Sequence, residues 1–112
     1  MKTEEPREYK DGFLVLPKNF VSKGFIYNQI KRKGLVAIYQ KYKEKNKYKE
    51  HYETVIILRN PKRFIHEMEI EAREVFPGDE QWGTLGFTHS SFDRALEKFN
   101  ELVKKEEMNN EK

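Results

Sequence analysis

Apolar residues fall at helical spacing in one part of this chain and alternate in several others. Phe92, Ala95, Leu96, Phe99, Leu102 and Val103 stand at i, i+3, i+4, i+7, i+10 and i+11, which lays them in one stripe along an amphipathic helix. Ser90 is placed to cap that helix, Asp93 three residues on makes a variant capping box, and Lys104 and Lys105 suit its negative C-terminal end. The remaining face, with Arg94, Glu97, Lys98 and Glu101, mixes both signs and is expected to face water.

Upstream, the period shortens to two. Gly24 opens a strand over 25–31, Gly34 marks a tight turn, and a second strand over 35–43 completes a hairpin. A polar loop over 44–50 leads to a third strand over 51–59, centred on Val55 to Leu58 and ended by Asn60-Pro61. Residues 63–73 fit two descriptions. Met68, Ile70 and Ala72 alternate with Glu67, Glu69 and Glu71 as in a half-buried strand, while Ile65, Met68, Ala72 and Val75 also share a helix face; the strand is favoured. Phe13 to Leu16, stopped by Pro17, reads as an N-terminal edge strand or an arm packed on the core. The pattern predicts an α+β fold: an antiparallel four-stranded β-meander with one C-terminal amphipathic helix, ββββα.

One helix covers one face of such a sheet. Both alternating sets are apolar in 35–43 (Leu35, Ala37, Tyr39 and Val36, Ile38, Tyr42) and in 51–59, where a solvated reverse face would read polar. A second layer is therefore expected, from a partner copy, the N-terminal arm or a bound ligand, and a homodimer is the expectation drawn from it.

With 112 residues the chain matches one domain, its folded part over 12–103 and charged tails over 1–11 and 104–112. Cysteine is absent, which excludes disulfides, thiolate metal sites and cysteine nucleophiles. Apolar runs such as 55–58 are far too short to cross a membrane, and the charged N-terminus holds no signal-peptide core, so a cytoplasmic protein without a membrane partner is expected.

Charge changes the picture most. Between Lys31 and Arg63 eleven Lys or Arg stand against three acids, whereas from Phe64 onward six bases face twelve acids, so the net charge of +3 conceals a dipolar molecule. Five of the six tyrosines lie in or beside the basic stretch. Cations mixed with flat rings suit a flexible polyanion. Lys41 and Lys43 share a strand face with Tyr39, and Lys45, Lys47, Tyr48 and Lys49 line the loop that follows. The lysines would neutralise phosphates and Tyr39 and Tyr48 would stack on bases. Lysine also protects exposed sheet edges and tyrosine is a common strand residue, so the same stretch has a purely structural reading.

Other chemistry finds little support. His51, His66 and His89 are too scattered for a metal pattern, and His66 beside Glu67 and Glu69 makes only a corner of one. Glu67, Glu69, Glu71, Glu74, Asp79 and Glu80 read as a wet strand face rather than a catalytic pair, and Ser90 and Ser91 lack a nucleophile-elbow context. No catalytic residue, metal or cofactor is expected. Trp82-Gly83-Thr84-Leu85-Gly86-Phe87 precedes the helix with two glycines three apart, but it lacks the lysine and the length of a phosphate loop; Trp82 and Phe87 read as core anchors.

The run Pro77-Gly78-Asp79-Glu80-Gln81-Trp82-Gly83-Thr84-Leu85-Gly86-Phe87-Thr88, followed by Ala95 and Phe99, resembles small uncharacterised phage and bacterial proteins in which a β-meander leads through a W-G-x-x-G-[FWY] loop to a final helix. The likeness takes in about 25–102 and carries no assigned activity; the lysine-rich insert is not part of it. By topology alone, a meander plus one helix is similar to the PC4-like single-stranded-DNA-binding fold, which dimerises and binds through its sheets. The function expected is non-enzymatic binding of single-stranded or flexible nucleic acid. The alternative is a phage- or mobile-element-encoded protein-interaction module that brings the lysine surface to an acidic protein partner.

Overall fold

The computed structural model describes residues 8–110, with the backbone alone for 46–49 and 109–110. In chain order the elements are β1 (Tyr9–Lys10), β2 (Phe13–Leu14), β3 (Asn19–Ser22), β4 (Phe25–Lys33), β5 (Val36–Lys43), β6 (Asn46–Ile56), β7 (Leu58–Asn60), β8 (Arg63–Ile65), β9 (Met68–Ile70) and β10 (Arg73–Val75). A 3-10 turn (Asp79–Gln81), β11 (Gly86–His89) and the helix α1 (Phe92–Asn110) complete the chain. The fold is α+β, with more strands than the meander expected.

The large sheet is antiparallel and five-stranded, in the order β11-β6-β5-β4-β3. Its middle follows the hydrophobic pattern in β4 and β5, with β5 buried on both faces from Val36 to Tyr39. The third expected strand, 51–59, is split: its first part belongs to β6, and Leu58–Asn60 crosses into a second sheet as β7. Its outer strands are β3 and β11, neither of which the meander reading supplied. The β3–β4 hairpin closes on Lys23 and Gly24, with φ of 52° and 81°, the left-handed pair that a two-residue hairpin turn of the I′ kind demands.

Residues 63–73 are neither one strand nor a helix. They contain a small hairpin, β8 with β9, turning on His66 and Glu67 at φ of 50° and 65°. The alternation of Met68 and Ile70 is real, but a reversal of the chain interrupts it, and Phe64, Ile65 and Met68 end up exposed. Arg73 to Val75 then joins a second, four-stranded sheet in the order β1-β2-β10-β7.

Helix α1 lies on one face of the large sheet, where Ala95, Phe99 and Leu102 pack with Val36 and Ile38. Ser91, one residue later than expected, is the capping residue: its Oγ accepts a hydrogen bond from the Arg94 amide at 3.4 Å. The helix runs on to Asn110, so Lys104 and Lys105 lie within it rather than in a tail, and Glu107 reaches Lys33 at 3.0 Å. At the other terminus residues 8–10 are also built into the fold, through β1 and the Val15 amide donating to the Glu8 carbonyl; residues 1–7 lie outside the described residues.

The opposite face is covered by the chain itself. Leu16 of the N-terminal arm and the partly buried Phe76 and Trp82 pack against Tyr27, Ala37, Tyr39, Val55 and Ile57. The second apolar face, from which a homodimer was expected, is thus accounted for within one copy. Phe20, Tyr27, Tyr39 and Phe76 form a cluster of rings there, with Phe20 stacked on Tyr27 at 4.6 Å and Phe76 edge-on to Tyr39 at 5.5 Å.

Trp82 and Phe87, read together as anchors under the helix, are split between the two cores. Trp82 belongs to the arm-covered face and Phe87 to the helix-covered one. The two glycines of the W-G-x-x-G run have separate mechanical reasons. Gly83 turns the chain at φ 91° and donates its amide to the Gly86 carbonyl at 2.7 Å. Gly86 lies against the indole, and a Cβ there would sit 2.4 Å from ring atoms of Trp82.

Candidate nucleic-acid interface

Strand pairing decides which predicted residues meet. Tyr39 on β5 pairs with Glu53 on β6, Lys41 with His51, and on the other side Tyr27 and Phe25 of β4 pair with Lys41 and Lys43. Because side chains alternate, Tyr39, Lys41, Lys43, Phe25, Tyr27 and Glu53 all lie on the face turned away from α1. The expected sharing of a face by Tyr39, Lys41 and Lys43 is therefore present, yet their environments differ.

Tyr39 is fully buried. Its hydroxyl donates to the Pro17 carbonyl and accepts from Gln29 Nε2, both at 2.9 Å, so it ties the N-terminal arm to the sheet. Buried among Phe20 and Phe76, this ring offers no free face to a base, and the stacking role expected of Tyr39 is withdrawn. Lys41 is only partly available. Its ammonium stands 4.4 Å above the Phe25 ring and 3.4 Å from Glu53 Oε2, an internal ion pair on an aromatic bed.

Lys43 and Lys45 are exposed, Lys43 resting 5.3 Å from the Phe25 ring centre and Lys45 in the turn between β5 and β6. That turn is tighter than expected: the loop over 44–50 is reduced to Glu44 and Lys45, and β6 begins at Asn46. The side chains of Lys47, Tyr48 and Lys49 lie outside the described residues.

Beside Lys41 the sheet carries a polar chain that runs from the exposed Thr88 to the buried Glu53. Trp82 Nε1 donates to Thr88 Oγ1 at 2.8 Å, and that hydroxyl stands 3.3 Å from Glu53 Oε2, the oxygen that also faces Lys41. Glu53 is 4 % exposed, and its other oxygen, Oε1, is buried with no hydrogen-bond partner. Burial pushes the Glu53 carboxyl above its ordinary value, and the opposing pull of Lys41 and Thr88 does not cancel it. Burial also draws the Lys41 ammonium down, but Glu53 and Tyr27 more than offset that and raise it.

These groups line a cavity of about 580 Å³ together with Phe20, Phe25, Tyr27 and Phe76, and the exposed ion pair Lys23–Asp79, at 3.4 Å, lines it too. A larger cleft of about 1000 Å³ lies between the N-terminal arm and β10. Its buried carboxylate, Glu74, is fully engaged: Arg32 grips it with two bonds of 2.8 and 2.7 Å, and the Leu16 amide adds a third at 2.9 Å. Arg73 Nε lacks an acceptor in that cleft, but Glu8 and Glu74 line it too, a poor setting for an anion. The smaller cavity sets Thr88 and the Lys41–Glu53 pair among aromatic walls. A bulge at Ile30 accounts for both ends of this face, since it sends Lys31 toward Phe99 under the helix and returns Arg32 to the side where Glu74 waits.

Reading the sequence located the lysines but missed the aromatic walls. The signal for three of the five was the alternation Phe20, Phe25, Tyr27 across the Lys23-Gly24 dipeptide, a hairpin signature. Phe76 and Trp82 arrive from a distant segment that no local pattern places there. Among the described residues no cluster of His, Asp and Glu is arranged to hold a metal ion, and no helix is long and apolar enough to cross a membrane. No protein family, curated protein or solved structure matches this chain.

Proposed function

We propose that this protein binds single-stranded or otherwise flexible nucleic acid, without catalysis, at the end of the large sheet where the β5–β6 turn projects. The observation that supports this most is the register that sets exposed Lys43 beside Phe25, a wall of the aromatic cavity, with exposed Lys45 in the turn that follows. Exposed lysines follow a phosphate backbone without reading sequence, while aromatic surfaces beside them accept bases. Lys41 contributes less free charge than a solvated lysine because Glu53 already engages it. Fluorescence anisotropy with labelled single-stranded and duplex oligonucleotides over a salt series is the test. Single strands bind more tightly than duplex, and affinity falls steeply as salt rises; equal or absent binding of both overturns the reading.

One observation favours the second reading, a protein-interaction module. The β8–β9 hairpin exposes Phe64 at 66 % on one face and, on the other, Met68 at 69 % beside its cross-strand partner Ile65. Apolar side chains gathered on a projecting hairpin are the kind of surface that a protein partner covers. Under that reading oligonucleotides are ignored, and Phe64→Ser with Met68→Ser abolishes capture of the partner.

A further inference from the structure

The cavity beside Lys41 combines three properties that constrain its ligand. Its walls are aromatic, with Phe25 and Trp82 on different segments of the chain. Its lining carries polar groups, Thr88 and the Glu53 carboxylate that Thr88 and Lys41 both engage. Its cation is already in place, since Lys41 stands over Phe25 and Tyr27 at 4.4 and 5.4 Å.

Each property excludes a class of ligand. The charged groups of its lining are paired, Lys41 with Glu53 and Lys23 with Asp79, each at 3.4 Å, so the cavity offers no net charge to a cation or an anion. A hydrocarbon would strip water from Thr88 and the Lys41–Glu53 pair and return no hydrogen bond, a cost that a ligand with its own donors and acceptors avoids. What remains is a flat, neutral ring that carries its own donors and acceptors. A volume of about 580 Å³ lies within the range of small-molecule sites and is ample for one such ring with its sugar.

We infer that this cavity receives one unstacked nucleobase of a bound strand, its ring against Trp82 and its polar edge toward Thr88 and the Lys41–Glu53 pair, while Lys43 and Lys45 hold the flanking phosphates. The inference rests on the nucleic-acid reading above and adds to it a pocket for a single base. Exposure of Lys43 and Lys45 at the adjoining strand end puts the phosphate contacts next to the cavity rather than across the molecule.

Trp82 is the only tryptophan in the chain, so the cavity reports on itself. The experiment titrates the full-length wild-type protein with a short single-stranded DNA and with the same backbone made fully abasic. Binding is followed by anisotropy of a dye on the DNA, and the cavity by Trp82 fluorescence. Base stacking on aromatic side chains predicts that the intact strand binds roughly tenfold or more tightly than the abasic one and quenches Trp82, which the abasic strand leaves unchanged. If both strands bind equally and Trp82 does not respond, the base pocket is wrong while the phosphate-binding surface stands. If neither strand binds, the nucleic-acid reading falls and the pocket's occupant with it. Altering the ligand instead of the protein avoids any confusion with misfolding.

Discussion

Two carboxylates, Glu74 and Glu53, are buried on the side of the large sheet away from the helix, and the chain handles them in opposite ways. Glu74 receives two bonds from the Arg32 guanidinium and one from the Leu16 amide, which leaves no oxygen without a donor. Glu53 has a single amine at 3.4 Å and a threonine hydroxyl at 3.3 Å, both at one oxygen, while the other has no partner. The same side chain therefore clamps one end and leaves the other short of a donor. A fully satisfied buried ion pair specifies which surfaces meet, here the second sheet and the arm against the large sheet. A half-satisfied one costs stability, so the two ends of this face are expected to respond to substitution with opposite signs.

Breaking the clamp has the largest expected effect. Arg32→Met leaves Glu74, whose side chain is 0 % exposed, without its counter-charge, and unfolding free energy should drop by about 3 kcal/mol or more in urea titrations. A loss below about 1 kcal/mol would mean that the arm and second sheet are held by apolar contacts alone. Next comes Gly86→Ala, which pushes a methyl into the Trp82 ring and should cost about 1–3 kcal/mol by overpacking, together with a shift in Trp82 emission. An unchanged spectrum would show that the indole does not rest on that glycine.

The open end should respond with the opposite sign. Glu53→Gln keeps the shape, removes the buried charge, and is expected to change stability by less than about 1 kcal/mol, in the stabilising direction. Acid titration sharpens the contrast. Burial would raise Glu74, but Arg32 and the Leu16 amide outweigh it and hold this carboxyl low. Its contribution is complete above the ordinary carboxylate value of about 4.3 and is lost as pH falls through the lower folded value. Glu53 is raised by burial, so its contribution is complete below the ordinary value and is lost as pH rises through the higher folded one. The advantage of Glu53→Gln over wild type should accordingly grow between about pH 4 and pH 7 in thermal melts. An advantage that shrinks over that interval would place the charge of Glu53 in a favourable site after all.

Much of the frame was legible from periodicity. The 3.6-residue stripe from Phe92 to Val103 marks the helix, and its buried members are the predicted ones, Ala95, Phe99 and Leu102. Alternation located β4, β5 and most of β6, because strands buried by neighbours on both sides must be apolar at fixed intervals. The short strands were illegible for the same reason: β3 and β11 have four residues each, too few for a period, and their places in the sheet depend on pairing with distant partners. Lys23-Gly24 and Asp11-Gly12 held a usable turn signal, whereas His66-Glu67 takes positive φ without glycine or asparagine. The basic stretch was visible as charge, but charge does not reveal that Lys41 is spent on Glu53 or that Tyr39 is spent on the Pro17 carbonyl.

The central claim is that ligand meets the Glu53 end of this face and leaves the Glu74 end untouched. Amide chemical shifts of the isotope-labelled protein, followed during titration with a short single-stranded oligonucleotide, test it residue by residue. Shifts should concentrate at Lys41 to Lys45, Glu53, Trp82 and Thr88, and stay near zero at Leu14 to Lys18 and Arg73 to Val75. Perturbation centred on Arg32 and Glu74, or on the β8–β9 hairpin, or none at all at millimolar oligonucleotide, would contradict it.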